Sequence, residues 1–186
     1  MKIDIPWHRY ALIVLLTDRM HASRQKFGKT ALQKLVYLLQ AVFNVPAGYQ
    51  YSLYLHGPFC SELANDLDYL HCLGGVQVSL DSSSSGYSIT PSENAQIIKD
   101  KANDFLSEYQ SEIDQLLDTF GPRRVKELEL FSTIVFVDRD AVNSGRNQDR
   151  DHFIREIQNI KPHFSREEIV STIAELESLG YIQSRT

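Results

Sequence analysis

Four side chains able to bind metal or act as nucleophiles fall close together in the chain: His56, Cys60, His71 and Cys72. A structural zinc ion needs donors that converge on one tetrahedron. This spacing matches no common zinc pattern, and on a helix the adjacent His71 and Cys72 side chains diverge. The expected role of the cysteines is that of small buried hydrophobes. As a nucleophile, Cys60 would need a base within hydrogen-bond reach, and His56 is the local candidate. The sequence holds no G-x-S-x-G elbow, no phosphate-cradling glycine loop and no H-E-x-x-H. The acid pairs Asp66/Asp68, Asp138/Asp140 and Asp149/Asp151 are two positions apart, so on a helix neither partner faces the other. The expectation is a chain without catalytic residues, metal ligands or a cofactor.

Charge points elsewhere. The chain is −5 overall, yet residues 1–60 hold seven Lys and Arg against Asp4 and Asp18 alone. Arg24, Lys26, Lys29 and Lys34 crowd one loop and the helix after it, which makes them the candidate nucleic-acid contacts; the competing reading is a solvated helix face.

The elements that would position these residues follow from periodicity. Pro6 opens a first helix over 6–20, with Trp7, Tyr10, Ala11, Val14 and Leu15 recurring at helical spacing. Leu32, Leu35, Val36, Leu39 and Phe43 stripe a second helix from Thr30 to Asn44, which Pro46 and Gly48 end. "YQYSLYL" alternates as a strand does, and the chain then turns at Gly57-Pro58. Ser61 is placed to cap a third helix with Leu63, Leu67 and Leu70 on its buried side, and Gly74-Gly75 stops it. "VQVSL" and "GYSIT" read as a hairpin around "DSSSS". This order is that of a winged-helix-like module with the early strand in its small sheet.

Beyond Pro91 the pattern is helical: residues 92–119 with a break inside, then 124–138, whose apolar density implies burial on more than one face. A polar surface loop follows at 143–151, then a short helix over 153–160. The last helix opens with the capping box Ser165/Glu168 and ends at Gly180. The expected fold is α+β and mostly helical. A winged-helix-like subdomain (1–90) carries a small antiparallel sheet and packs on a helical subdomain (91–186), the two forming one compact domain.

In a winged module the third helix would enter the major groove. Its outward positions, Glu62, Asn65, Asp66, Asp68 and Tyr69, include three carboxylates and no cation, which would repel phosphate. The same helix, with the aromatic residues before it, suits a protein partner better. Tyr54, Phe59 and Tyr69 would form an amphipathic patch, with Glu62 and Asp66 as an acidic rim selecting a basic partner; the competing reading is that these rings simply cover the small sheet under the helices of the second half.

Composition is that of an ordinary globular protein, with 42% hydrophobic and 23% charged residues. The apolar run "YALIVLL" is far short of the roughly 20 residues a membrane span needs and is followed by no cleavage site. Two cysteines make no disulfide framework. A cytoplasmic protein without a membrane partner is expected, with self-association left open.

Three stretches, "GKTALQKLVYLLQ", "HGPFCSELANDLDYL" and "LELFSTIVFVDRD" with "IKPHFSREEIVSTIAELESLG", carry a resemblance to the YwgA-like family of small prokaryotic proteins. That family shares an L-Q-K-L-hydrophobic-Y/F helix and a Y-G-P-[YF]-S-x-x-L element with the more distant SocA/Panacea antitoxin proteins. The chain departs from the pattern at His56, where an aromatic residue is usual, and at Cys60, where serine is. The resemblance implies a mostly helical fold and a non-catalytic regulator that holds another protein, antitoxin- or adaptor-like. The alternative is a winged-helix DNA-binding transcriptional regulator.

Overall fold

The structure, a computed structural model, describes residues 5–81, 86–146 and 149–185. Its elements in chain order are helices α1 (Trp7–Ala22) and α2 (Lys29–Phe43), strands β1 (Ser52–Tyr54) and β2 (Gly57–Phe59), helix α3 (Ser61–Cys72), and strands β3 (Val76–Leu80) and β4 (Tyr87–Pro91). Six helices follow: α4 (Ala95–Asp100), α5 (Asn103–Glu108), α6 (Gln110–Phe120), α7 (Val125–Asn143), α8 (Arg150–Ile160) and α9 (Arg166–Ser178). The fold is α+β and mostly helical, with two separate antiparallel hairpins. The tip at 82–85, expected as a flexible turn, lies outside the described residues, as do positions 147 and 148 of the expected surface loop.

α1, α2 and α7 are buried on more than one face, α2 without interruption from Ala31 to Leu39. On α1 every residue from Tyr10 to Val14 is buried, because α3, α4, α5 and β4 surround it. α7 is buried from Leu128 to Val135 against α2, β2, α8 and α9. The buried apolar side chains from Tyr10 to Ile182 join in one cluster, and the seam at 90 and 91 is crossed by α4 on α1 and by α7 on α2. Leu32, Leu35, Val36, Leu39, Leu63, Leu67 and Leu70 all lie in this core. Ser165 and Glu168 form the expected capping box: Ser165 Oγ accepts from the Glu168 N–H at 3.1 Å, and Glu168 accepts from the Ser165 N–H at 2.8 Å.

The early strand does not join the wing. β1 pairs with β2, with Leu53 opposite Pro58, and the two-residue turn is Leu55-His56 rather than Gly57-Pro58. Gly57 sits at φ +89° against α7, where a Cβ would come within 2.9 Å of the Thr133 hydroxyl, so no other residue fits there without strain. The wing edge that an early strand would have taken is occupied. β4 pairs with β3 on one side, and on the other the Ile89 N–H donates to Phe27 O at 2.8 Å.

Candidate functional site

The first hairpin is held from beneath by two lysines. From α2, Lys34 Nζ donates to Pro58 O at 2.7 Å; from the end of α8, Lys161 Nζ donates to Leu55 O. Both side chains are almost wholly buried. Beside Lys34, Gln33 latches the start of α3 in both directions: its carbonyl accepts from the Cys60 N–H at 2.9 Å and its amide donates to Cys60 O at 2.8 Å. The L-Q-K-L stretch of α2 and the G-P-F-C stretch of the hairpin therefore meet through side chain-to-backbone bonds.

Above these bonds lies a half-open, mainly apolar pocket of about 240 Å³. α2 lines it with Lys29, Thr30, Leu32, Gln33 and Lys34, the hairpin with Tyr54, His56, Gly57 and Phe59, and α3 with Leu63, Ala64 and Leu67. The ionisable groups in this lining are basic or neutral. Lys29 at the mouth pairs with Asp68 at 3.2 Å and lies 4.7 Å from the centre of the Tyr87 ring. Burial, reinforced by the nearby charge of Lys161, pushes the Lys34 ammonium down to about 8, with Glu129 pulling the other way.

Behind the hairpin, α7 places Glu129 against Lys161 at 2.7 Å, with His163 Nε2 at 3.3 Å and His56 Nδ1 at 3.6 Å from the same carboxylate. Among the described residues no three His, Cys, Asp or Glu side chains come together as metal ligands. His71 faces the Val76 carbonyl instead, at 3.3 Å. No protein-family model matches the chain, and no curated protein is significantly similar to it.

The surface expected from the sequence is divided by α3. Tyr54 is 64% exposed and stacks near Phe59 with ring centres 5.9 Å apart, both at the pocket. Glu62, Asp66 and Tyr69 lie on another face of the helix, turned towards α1. Glu62 pairs with Arg9, whose guanidinium also donates to Ala47 O and Gly48 O and stacks on Tyr49. Tyr69, half exposed, leans on Tyr10 at 5.6 Å. Asp66 is not a rim residue: it is buried, and it accepts a 2.7 Å hydrogen bond from the Tyr49 hydroxyl. Burial raises its carboxyl above the usual range, against the opposing effects of that hydrogen bond and of Arg9. No acidic rim faces the pocket.

The basic stretch is corrected too. Lys34 is not a surface cation that a nucleic-acid backbone could lie against, because its side chain is buried under the first hairpin and donates to Pro58 O. Lys29 is engaged by Asp68, and Lys26 lies 3.7 Å from Asp81. Arg24 is exposed at φ +56° in the turn after α1.

Glu129, Lys161, His163 and Leu55 were missed by sequence reasoning. For Glu129 a signal existed: it interrupts the apolar run of α7 in a helix expected to be buried on several faces, and a carboxylate there demands a cation. Lys161 gave no comparable sign.

Proposed function

We propose that the protein is a non-catalytic regulator that works by holding another protein, antitoxin- or adaptor-like, in keeping with the YwgA-like and SocA/Panacea resemblance. The observation that carries this reading is the first hairpin. Tyr54, Leu55 and Phe59 are 64%, 74% and 37% exposed beside an apolar pocket, and a contiguous apolar surface of this kind marks an interaction site. Two of the stretches that carry the resemblance meet at that pocket, through Gln33 and Lys34. No helix among the described residues is long and apolar enough to cross a membrane.

The DNA-binding alternative draws little support from the charges. Glu62 and Asp68 stand on the exposed faces of α3, and the cations nearest them are already paired. The two readings part under affinity capture from the source cells. A protein retained after nuclease treatment and lost on Tyr54→Ser plus Leu55→Ser supports the proposal. Steeply salt-dependent DNA binding, abolished in Arg24/Lys26/Lys29→Ala and indifferent to the hairpin variant, would replace it.

A further inference from the structure

The charges around the first hairpin do not balance. Two ammoniums, Lys34 and Lys161, are dehydrated there, and one carboxylate, Glu129, stands between the helices to receive them. Glu129 binds Lys161 through Oε1, with His163 near the same oxygen and His56 near Oε2. Among the described residues no carboxylate lies within ion-pair distance of Lys34, and the acceptor it has is the Pro58 carbonyl. An ammonium carries three N–H donors, and a buried charge without a counter-charge costs several kcal/mol. The fold accepts that cost at a residue that also lines the pocket.

The pocket is built for what is missing. Its cationic or protonatable walls are Lys29, Lys34 and His56; no Asp or Glu lines it, and the rest of its surface is apolar, supplied mainly by Phe59, Leu63 and Leu67. A phosphate would find Lys29 already paired with Asp68, Gln33 already engaged by the Cys60 backbone, and a mainly apolar wall against most of its oxygens. A single carboxylate on a carbon stem finds its ion pair at Lys34 and apolar cover around the stem.

We propose that the pocket takes an acidic peptide segment of the partner protein, with a Glu or Asp carboxylate on the Lys34 ammonium and a neighbouring bulky apolar side chain in the body of the cavity. This rests on the protein-binding reading above and adds the chemistry of what is bound. It also reverses the polarity expected from the sequence, because the partner contributes the acid and this chain the base. Tyr54 and Leu55, exposed on the hairpin, would flank the entering segment.

The test uses the intact isolated chain and two synthetic peptides, acetyl-Leu-Phe-Glu-Leu-amide and its Gln counterpart, titrated against amide NMR spectra. The blocked termini leave the Glu carboxylate as the sole anion. The Glu peptide should shift the amides of Tyr54, Leu63 and Leu67 saturably, and the Gln peptide should bind about tenfold more weakly or worse, the size of one charge-assisted contact. Between pH 7 and 9.5 the preference should fade as Lys34 loses its proton, a readout that needs no variant. In Lys34→Met the two peptides should bind alike. Equal affinity of both peptides for the wild type, or no binding of either, would overturn the proposal. So would binding of 3-phenylpropionate without binding of the Glu peptide, which would make this a small-acid site. A partner captured through Tyr54 and Leu55, with no Glu preference in the titration, would leave the protein-binding reading standing and remove this one.

Discussion

Glu129 and Asp138 stand on the same helix, both buried and both met by cations, yet their surroundings differ. Asp138 is enclosed. One oxygen accepts from Arg185 Nη2 at 2.7 Å and from the Gln183 N–H at 3.3 Å, and the other accepts from Arg139 Nη1 at 2.9 Å. Arg185 is buried with it, lies 3.8 Å from the centre of the Phe153 ring and spends another donor on Gln183 O. Arg139 keeps about a third of its side chain in solvent and donates to Ala41 O and Tyr181 O. One dehydrated cation therefore meets one dehydrated anion, through rigid guanidinium forks that pin segment 181–185 to α7 and α2. At Glu129 the cation is the single buried lysine Lys161, with two largely exposed imidazoles nearby, and a second buried lysine, Lys34, also lines a pocket. The first arrangement holds the fold together; the second leaves a binding capacity unfilled.

Removing each charged group should rank the two clusters. Asp138→Asn leaves the buried Arg185 charge without its anion, and a loss of about 3–5 kcal/mol is expected in chemical denaturation. Lys161→Met removes the cation from Glu129, but the His163 and His56 ring nitrogens remain 3.3 and 3.6 Å from that carboxylate and lie towards solvent, so the loss should be smaller, about 2 kcal/mol. A larger cost at Lys161 than at Asp138 would break the comparison.

The pH dependence of stability sharpens it further. The folded chain holds the Lys34 ammonium down to about 8, while the unfolded chain leaves it at its ordinary value. The unfolded state therefore binds more protons above that point, and this group's penalty, fully present at neutral pH, is relieved as pH rises from about 8 towards 10. Stability should climb through that window by roughly 1–3 kcal/mol. Above pH 10 the buried phenols of Tyr37, Tyr49 and Tyr51, all raised by burial, reverse the trend, because the unfolded chain ionises first. The climb should be absent in Lys34→Met, which at pH 7 should lie within about 1 kcal/mol of the wild type or above it, since an uncompensated ammonium gives way to an apolar stem.

Much of the fold was legible because it rests on local rules. The stripe through Leu32, Leu35, Val36 and Leu39, the Ser165 capping box and the stop after α3 each follow from residues within a few positions of one another. Lys34 was misread for the opposite reason. It flanks the stripe and looks like a solvated helix residue; it is buried because β2, α3, α6 and α7 close around α2 from several sides. Asp66 was misread likewise, since its partner Tyr49 comes from the loop before β1. Two aromatic members of the expected surface, Tyr54 and Phe59, do reach the pocket, because strand alternation and a tight turn put them there. The anionic character expected of that surface depended on which way α3 is rotated, and α1 decides that through Arg9 and Tyr10.

The central claim is that Lys34 is a buried ammonium lacking its anion, and the titration of its own 13Cε resonance in the isolated chain tests it most directly. A midpoint near 8 that moves upward when acetyl-Leu-Phe-Glu-Leu-amide is added, and does not move with the Gln peptide, is the result predicted here. A midpoint in the range of exposed lysines, about 10.4, unmoved by either peptide, would contradict it.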